Sequence, residues 1–227
     1  MNDDRQSFFA AFQKAVAALG LTIDAAQQEG MFAHYLQVVQ TNKQFNLTRI
    51  TSPAEAAVKH YADSLSLLAM PGFSPDRRLD VLDLGTGAGF PAVPLAIMCK
   101  VWTITAIDAT GKKAFFVQMA AKSQHLLNLH VRHARGSDLT REGDSSFDVV
   151  LLRAVAKLEE GLAEAAPLVR KGGCVVFYKT PHIESTEIEN AKRFAGQKGF
   201  KNSDHFDLSL PSPEGPIARR LIRYLKT

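Results

Sequence analysis

Apolar positions follow two textures along the chain. Up to residue 70 they recur at helical spacing. Phe8, Phe9, Phe12, Val16 and Leu19 mark one face of a first helix, and Gly20 is a natural stop. Met31, Tyr35, Leu36, Val38 and Val39 give the apolar side of a second, with Thr22 or Asp24 available as its cap. Residues 42–51 are polar and irregular. Ser52-Pro53 opens a third helix, with proline at the first helical position and Glu55 in the first turn. It carries Ala57, Tyr61, Leu65 and Leu68 and ends near Met70-Pro71-Gly72.

From residue 79 short apolar runs alternate with helical patterns, the signature of βαβ units around a parallel sheet. Strands are expected at 79–84, 102–107, 130–133, 147–152 and 173–178, and helices at 91–99, 112–127, 157–169 and roughly 184–196. Two further strands, 206–210 and 220–225, flank the rigid turn Pro211-Ser212-Pro213-Glu214-Gly215-Pro216 and should form an antiparallel hairpin at the sheet edge. The expectation is a doubly wound, Rossmann-like α/β domain with seven mostly parallel strands over 73–227, behind a helical N-terminal subdomain over 1–72.

Bulk properties exclude several classes. Hydrophobic residues make up 46% of 227, enough for a full core. Cys99 and Cys174 are too few for a disulfide framework and read as buried thiols in a reducing cytosol. Neither has a cysteine or histidine at metal-ligand spacing, so no metal is expected. The N-terminus starts acidic, unlike a signal peptide, and no run approaches the roughly 18 apolar residues of a membrane span. A soluble cytoplasmic monomer is expected. Net charge is only +4, but residues 109–137 hold no acid while carrying Lys112, Lys113, Lys122, Arg132, Arg135, His125, His130 and His133. That stretch reads either as a solvated face or as a phosphate-facing surface. Phe115, Phe116 and Met119 within it read as core.

The expected first strand of the sheet runs into Gly85-Thr86-Gly87-Ala88-Gly89. Alternate glycines let the backbone turn tightly and approach a ligand, and the helix that follows offers unpaired N–H groups. A dinucleotide loop needs glycine three places after Gly87, where Phe90 stands, which disfavours a nicotinamide cofactor. Asp83-x-Gly85-x-Gly87-x-Gly89 instead resembles motif I of class I methyltransferases, whose cofactor is S-adenosylmethionine. Asp108 ends the next strand about 20 residues on, where a carboxylate can accept from both ribose hydroxyls. The alternative is a helix-cap aspartate before Lys112-Lys113. Arg135-Gly136-Ser137-Asp138, after the third strand, is placed to touch the adenine.

Four segments narrow the resemblance. They are Phe45-Asn46-Leu47-Thr48; Lys59-His60-Tyr61-Ala62-Asp63-Ser64; Leu82-Asp83-Leu84-Gly85-Thr86-Gly87-Ala88-Gly89-Phe90-Pro91; and Arg153-Ala154-Val155-Ala156. Together they resemble the RsmG (GidB) family of bacterial rRNA methyltransferases, which modify a guanine N7 in 16S rRNA, and the resemblance covers nearly the whole chain. It implies a cofactor site made of Asp83, Gly85, Gly87, Gly89, Phe90, Asp108, Gly136, Ser137 and Arg153. It implies Asn46, His60, Arg153 and Lys179 at the reaction centre. It implies RNA contacts from Arg135 and Arg219, which could exchange roles with Arg220, and Lys112 and Lys113 join them from the acid-free stretch. Lys192, Arg193, Lys198 and Lys201 are further candidates for phosphate. One departure is visible: Ala92 stands where the family usually has glycine.

Guanine N7 carries no proton at neutral pH, so methylation there needs no general base, and the expected work of these residues is positioning. His60 reads either as a site residue or as a helix histidine bonded to Asp63. Asn46 reads as a site residue or a turn cap. Arg153, following a run of buried apolar residues, needs a partner or a ligand. Two other functions remain open on the sequence: a methyltransferase with a non-RNA substrate, and an RNA-binding module that senses the cofactor without turnover.

Overall fold

The computed structural model describes residues 2–143, 146–154 and 157–227. Val155 and Ala156 of the fourth segment lie outside the described residues.

The N-terminal third of the chain is helical, as its periodicity requires. Helix α1 spans Asn2–Ala18 and α2 spans Ala25–Asn42. Of the two candidate caps it is Asp24 that caps α2. Its carboxylate accepts from Gln27 N at 2.7 Å and Gln27 Oε1 accepts from Asp24 N at 2.9 Å, a reciprocal capping box. The third helix changes pitch along its length: α3 (Pro53–Ala56), a π-helical stretch Ala57–Ala62, α4 (Asp63–Leu65) and a 3-10 turn Ser66–Ala69.

The sheet then builds by right-handed alternation. In chain order come β1 (Asp80–Leu84), α5 (Ala92–Met98), β2 (Thr103–Asp108), α6 (Gly111–Ser123), β3 (Leu129–His133), α7 (Gly136–Glu142) and β4 (Phe147–Arg153). After them come α8 (Leu158–Ala165), β5 (Val169–Lys179), α9 (Ser185–Gln197), β6 (Phe200–Leu210) and β7 (Ile217–Lys226). Strand order is β3-β2-β1-β4-β5-β7-β6, with β1 to β5 parallel and β7 antiparallel to both neighbours. The order reverses between β1 and β4, and a crevice opens at their carboxyl ends.

Period-two alternation assigns the faces. Val81, Val149 and Leu151 join Phe8, Tyr61 and Leu95 in one core cluster, beneath the N-terminal helices, α5 and α6. Leu82, Val150 and Leu152 join Leu162, Phe177 and Ala191 in the other, beneath α8 and α9. An aromatic chain crosses the first cluster: Phe8 meets Tyr61 at 5.2 Å between ring centroids, and Tyr61 meets Phe90 at 5.1 Å. Cys99 and Cys174 are both free and buried, and burial pushes each thiol up to about 12.

Some expectations need correction. α6 stops at Ser123, not near 127, because His125 turns left-handed (φ 53°) and Leu126 N donates back to Ala121 O. The loop expected at 135–138 is the start of α7, which buries only Gly136 and Leu139 and so leaves little periodic trace. Strand β6 is longer than expected because β7 pairs along its length, and β5 because it begins at Val169, paired with Phe147 of β4. The Phe115–Met119 stripe is not core: Phe116 is buried, but Phe115 is 63% and Met119 47% exposed. α6 buries the face made by Ala114, Phe116, Val117, Ala120 and Ala121, and helical geometry turns Phe115 and Met119 away from it. Among the described residues no helix is long and apolar enough to cross a membrane, and no cluster of three metal-ligating side chains occurs.

Candidate functional site

The glycine loop lies at the carboxyl end of β1. Gly85, Gly87 and Gly89 all have left-handed backbones (φ 84°, 61° and 91°). Gly85 N and Thr86 N both donate to Ile107 O, at 3.0 and 2.9 Å, which ties the loop to the end of β2. A Cβ on Gly89 would stand 2.7 Å from Val93 Cγ2, whereas Gly85 and Gly87 face open space. Asp108 completes the tie. Its Oδ2 accepts from Gly87 N at 2.9 Å and its Oδ1 from Thr110 N at 2.8 Å, so the carboxylate is fixed while each oxygen keeps a further lone pair.

Asp83 sits beneath the loop, fully buried, with Oδ2 accepting from Ala92 N at 3.1 Å. Burial pushes its carboxyl up to about 7. It anchors the first turn of α5 to β1, and Ala92, at the position of the missing glycine, packs with no exposed surface.

A cleft of about 330 Å³ opens beside Asp108, walled by Leu84, Gly85, Ile107, Leu152, Arg153 and Glu164. Leu84, Ile107 and Leu152 suit an adenine face and the fixed carboxylate suits a ribose, so the residues fit the adenosine part of the implied cofactor. Gly136 N reaches Glu164 Oε1 at 3.3 Å, and a Cβ at Gly136 would lie 2.9 Å from Glu164 Cγ. Arg135 also lines this cleft. Ser137 is exposed on the first turn of α7, which Asp138 caps by accepting from Arg135 N at 2.8 Å.

At the other side of β4, Arg153 turns toward the third helix. Its Nη2 lies 2.9 Å from Asp63 Oδ2 and donates to Lys59 O. Arg219 Nε donates to the other oxygen of Asp63 at 2.7 Å. Asp63 is 3% exposed, so a buried carboxylate is shared by two guanidinium groups 17% and 18% exposed. Arg220 instead pairs with Asp207, so of the two arginines it is Arg219 that turns toward Arg153. Ala154, next after Arg153 and on the cleft wall, holds a left-handed backbone (φ 60°), a strained conformation for a residue with a Cβ.

His60 stacks on Phe90, 4.5 Å between centroids and 17° between planes. Its Nε2 is 2.8 Å from Thr48 Oγ1, and its Nδ1 is buried with no partner among the described residues. Asp63 is not its partner, contrary to the helical reading: the π-helical pitch lengthens the turn, and residues three apart no longer stack. Burial, then the charge of Arg153, lowers the imidazole to about 3. His34, against the other side of Phe90 at 5.3 Å, is lowered to about 3 by burial.

The remaining candidates lie further out. Asn46 is exposed, and the loop it occupies is organised by Asn42, whose Oδ1 accepts from Leu47 N and Thr48 N. Lys179 pairs with Glu187 at 3.5 Å. Lys112 and Lys113 occupy the first turn of α6, beyond Asp108. Lys192 and Lys201 border a groove beside Phe200 and Tyr224, at the β6 edge of the sheet, opposite the β3 edge. Two residues were not among the site candidates, Asp63 being weighed only as a partner for His60. Asp63, an acid amid apolar helix positions, carried a usable signal. Glu164, an acid on an amphipathic helix, carried none.

Comparison with known proteins agrees with this geometry. Residues 27–208 match the family model GidB, rRNA small subunit methyltransferase G. The chain is 32% identical over 223 residues to the Ribosomal RNA small subunit methyltransferase G of Carboxydothermus hydrogenoformans, covering 97% of this chain and 89% of that protein. It is 38% identical over 165 residues to that of Solibacter usitatus, covering 73% and 76%. Among solved structures, an O-methyltransferase from Bacillus cereus in complex with SAH superposes with a TM-score of 0.58 at 16% identity, over 98% of this chain and all of that one. The Methanococcus jannaschii fibrillarin pre-rRNA processing protein superposes with 0.54 at 16% identity, over 73% of each chain. These two share the fold.

Proposed function

Because the chain belongs to the rRNA small subunit methyltransferase G (GidB) family, we propose that it transfers a methyl group from S-adenosylmethionine to the RNA of the bacterial small ribosomal subunit, at N7 of a guanine in an exposed loop of 16S rRNA. The observation that carries this reading is the Asp108 carboxylate, fixed by Gly87 N–H and Thr110 N–H in a cleft that sets Leu84, Ile107 and Leu152 beside charged side chains.

Bound S-adenosylmethionine supplies an electrophilic methyl group. Gly85, Gly87 and Gly89 give its methionine end a backbone surface free of Cβ atoms, and Asp108 accepts from the ribose. The acceptor nitrogen would take the methyl with its own lone pair as the methyl–sulfur bond breaks, the sulfur leaving as a neutral thioether, and it would lose no proton. His60 is neutral throughout the physiological range and needs no role as a base; stacked on Phe90, it fixes the floor of the site. Arg153 orients the base, and Asp63, shared with Arg219, offsets part of its charge and so lessens its repulsion of a cationic methyl donor. Placement of this kind can supply roughly 7–11 kcal/mol of the barrier. Residues 73–227 hold the cofactor in this reading, and residues 1–72 shape the RNA side. The enzyme acts in the cytoplasm, as a monomer and without a metal.

The test is transfer of labelled methyl to small-subunit rRNA from cells lacking the protein, followed by mapping of N7-methylguanine. A single labelled guanine N7 is expected. Label at another atom, or none, overturns the proposal.

A further inference from the structure

The helix in front of the sheet edge carries a surface that the cleft does not use. On α6, Lys112, Phe115, Met119 and Lys122 follow at intervals of three, four and three residues, which aligns them in one exposed stripe. Phe115 is 63% exposed, a large aromatic ring held in water against the hydrophobic effect. Among the described residues Lys112 and Lys122 form no ion pair, and the chain holds no acid from 109 to 137. Among the described residues, Glu142 reaches this edge and pairs with Arg132. At the end of the stripe a groove of about 480 Å³ opens between α6 and β3, bordered by Lys122, His125, Leu127 and His130, with Leu127 88% exposed.

Cations spaced around an exposed ring, with no acid between them, match single-stranded nucleic acid: phosphates meet the ammonium groups and an unstacked base meets the ring. The two lysines stand about 15 Å apart along the helix axis, the span of a few nucleotides. We infer that this stripe docks the rRNA strand flanking the target base, with phosphates on Lys112 and Lys122 and a base on Phe115. The inference rests on the RNA-methylation reading.

Three variants test it: Phe115→Ala, Phe115→Trp, and the double variant Lys112→Gln with Lys122→Gln. They are assayed on small-subunit particles and on deproteinised small-subunit rRNA, both from cells lacking the protein. Phe115→Ala should raise KM roughly tenfold on both substrates. Its kcat, cofactor affinity and melting temperature should hold, and Phe115→Trp should restore KM. The paired lysine variant should make the dependence of log KM on log salt shallower by about 1.4. An unchanged KM in Phe115→Ala overturns the proposal. A KM raised on particles but unchanged on bare RNA also overturns it, because the stripe would then meet a ribosomal protein. A readout independent of turnover is tryptophan fluorescence of the Phe115→Trp protein, which bare rRNA should quench. Quenching without methyl transfer by the wild type would sink the enzymatic reading and leave the docking surface standing; no quenching sinks the docking surface.

Discussion

Asp63 Oδ2 lies 2.9 Å from Arg153 Nη2, an ion pair that joins the third helix of the N-terminal segment to the last residue of β4. Arg219 holds the second oxygen, so one carboxylate compensates two buried cations. Removing it strands both. Asp63→Ala should destabilise the protein by about 3–5 kcal/mol, read as a fall in melting temperature, with activity falling in step. Arg153→Ala should differ. It leaves Asp63 paired with Arg219, so stability should fall less, while the single-turnover methyl-transfer rate should fall more than RNA affinity. A stable Arg153→Ala protein with a normal rate removes this residue from the site.

Asp108→Ala should lower cofactor affinity roughly ten- to hundredfold, the size of one charged hydrogen bond or slightly more. RNA affinity should be little changed. Calorimetric titration with S-adenosylmethionine checks this. An affinity within threefold of wild type would show that the carboxylate serves only the loop backbone.

The loop glycines should separate by substitution. Gly89→Ala forces a Cβ to 2.7 Å from Val93 Cγ2 and an alanine to φ 91°, so melting temperature should drop steeply. Gly85→Ala suffers the left-handed backbone alone, about 1 kcal/mol, but projects a methyl group into the cleft. It should therefore lose cofactor affinity more than stability. Equal melting temperatures for the two variants would contradict the packing described here.

Stability should fall on acidification from pH 6.5. His34 and His60, neutral when folded and lowered to about 3, take up protons in the unfolded chain first, so each loses stability for the fold between pH 6.5 and about 3. Asp83 acts oppositely: raised to about 7, it holds its proton when folded, and it gains stability for the fold as pH falls from about 7 to 3.8. The net is one histidine, about 2 kcal/mol between pH 6.5 and 5. In Asp83→Asn the opposing contribution vanishes, and denaturant melts should show a loss about twice as steep. A stability flat over this range would refute the buried, neutral imidazoles.

Much of this was legible in the sequence because it is local or repeats. The strand alternation gave the sheet, and the βαβ rule placed Asp108 beside Gly87, 21 residues away, where the hydrogen bond is found. Contacts without a repeat left no such trace. Arg219 and Asp63 are 156 residues apart, and nothing in either neighbourhood announces the other. A bond from His60 to Asp63, one of the two readings that the sequence allows for His60, rests on ordinary helical spacing, which a π-helical stretch breaks without any mark in the sequence. Phe115 and Phe116 are chemically identical neighbours, and only the angle at which α6 meets the sheet decides which one is wet.

The aromatic chain from Phe8 through Tyr61 to Phe90 bears on how the protein can be shortened. A fragment beginning at residue 73 keeps all seven strands and every loop glycine, and by inspection of the motifs alone it looks like a self-sufficient catalytic piece. Its Phe90 ring would nonetheless lose the contacts with His34, His60 and Tyr61, and the face of the sheet under α1 would meet water. Such a fragment should be recovered as aggregate, and N-terminal trimming of even the residues around Phe8 would blunt the enzyme from a distance, by loosening the ring on which its ligand pocket is founded.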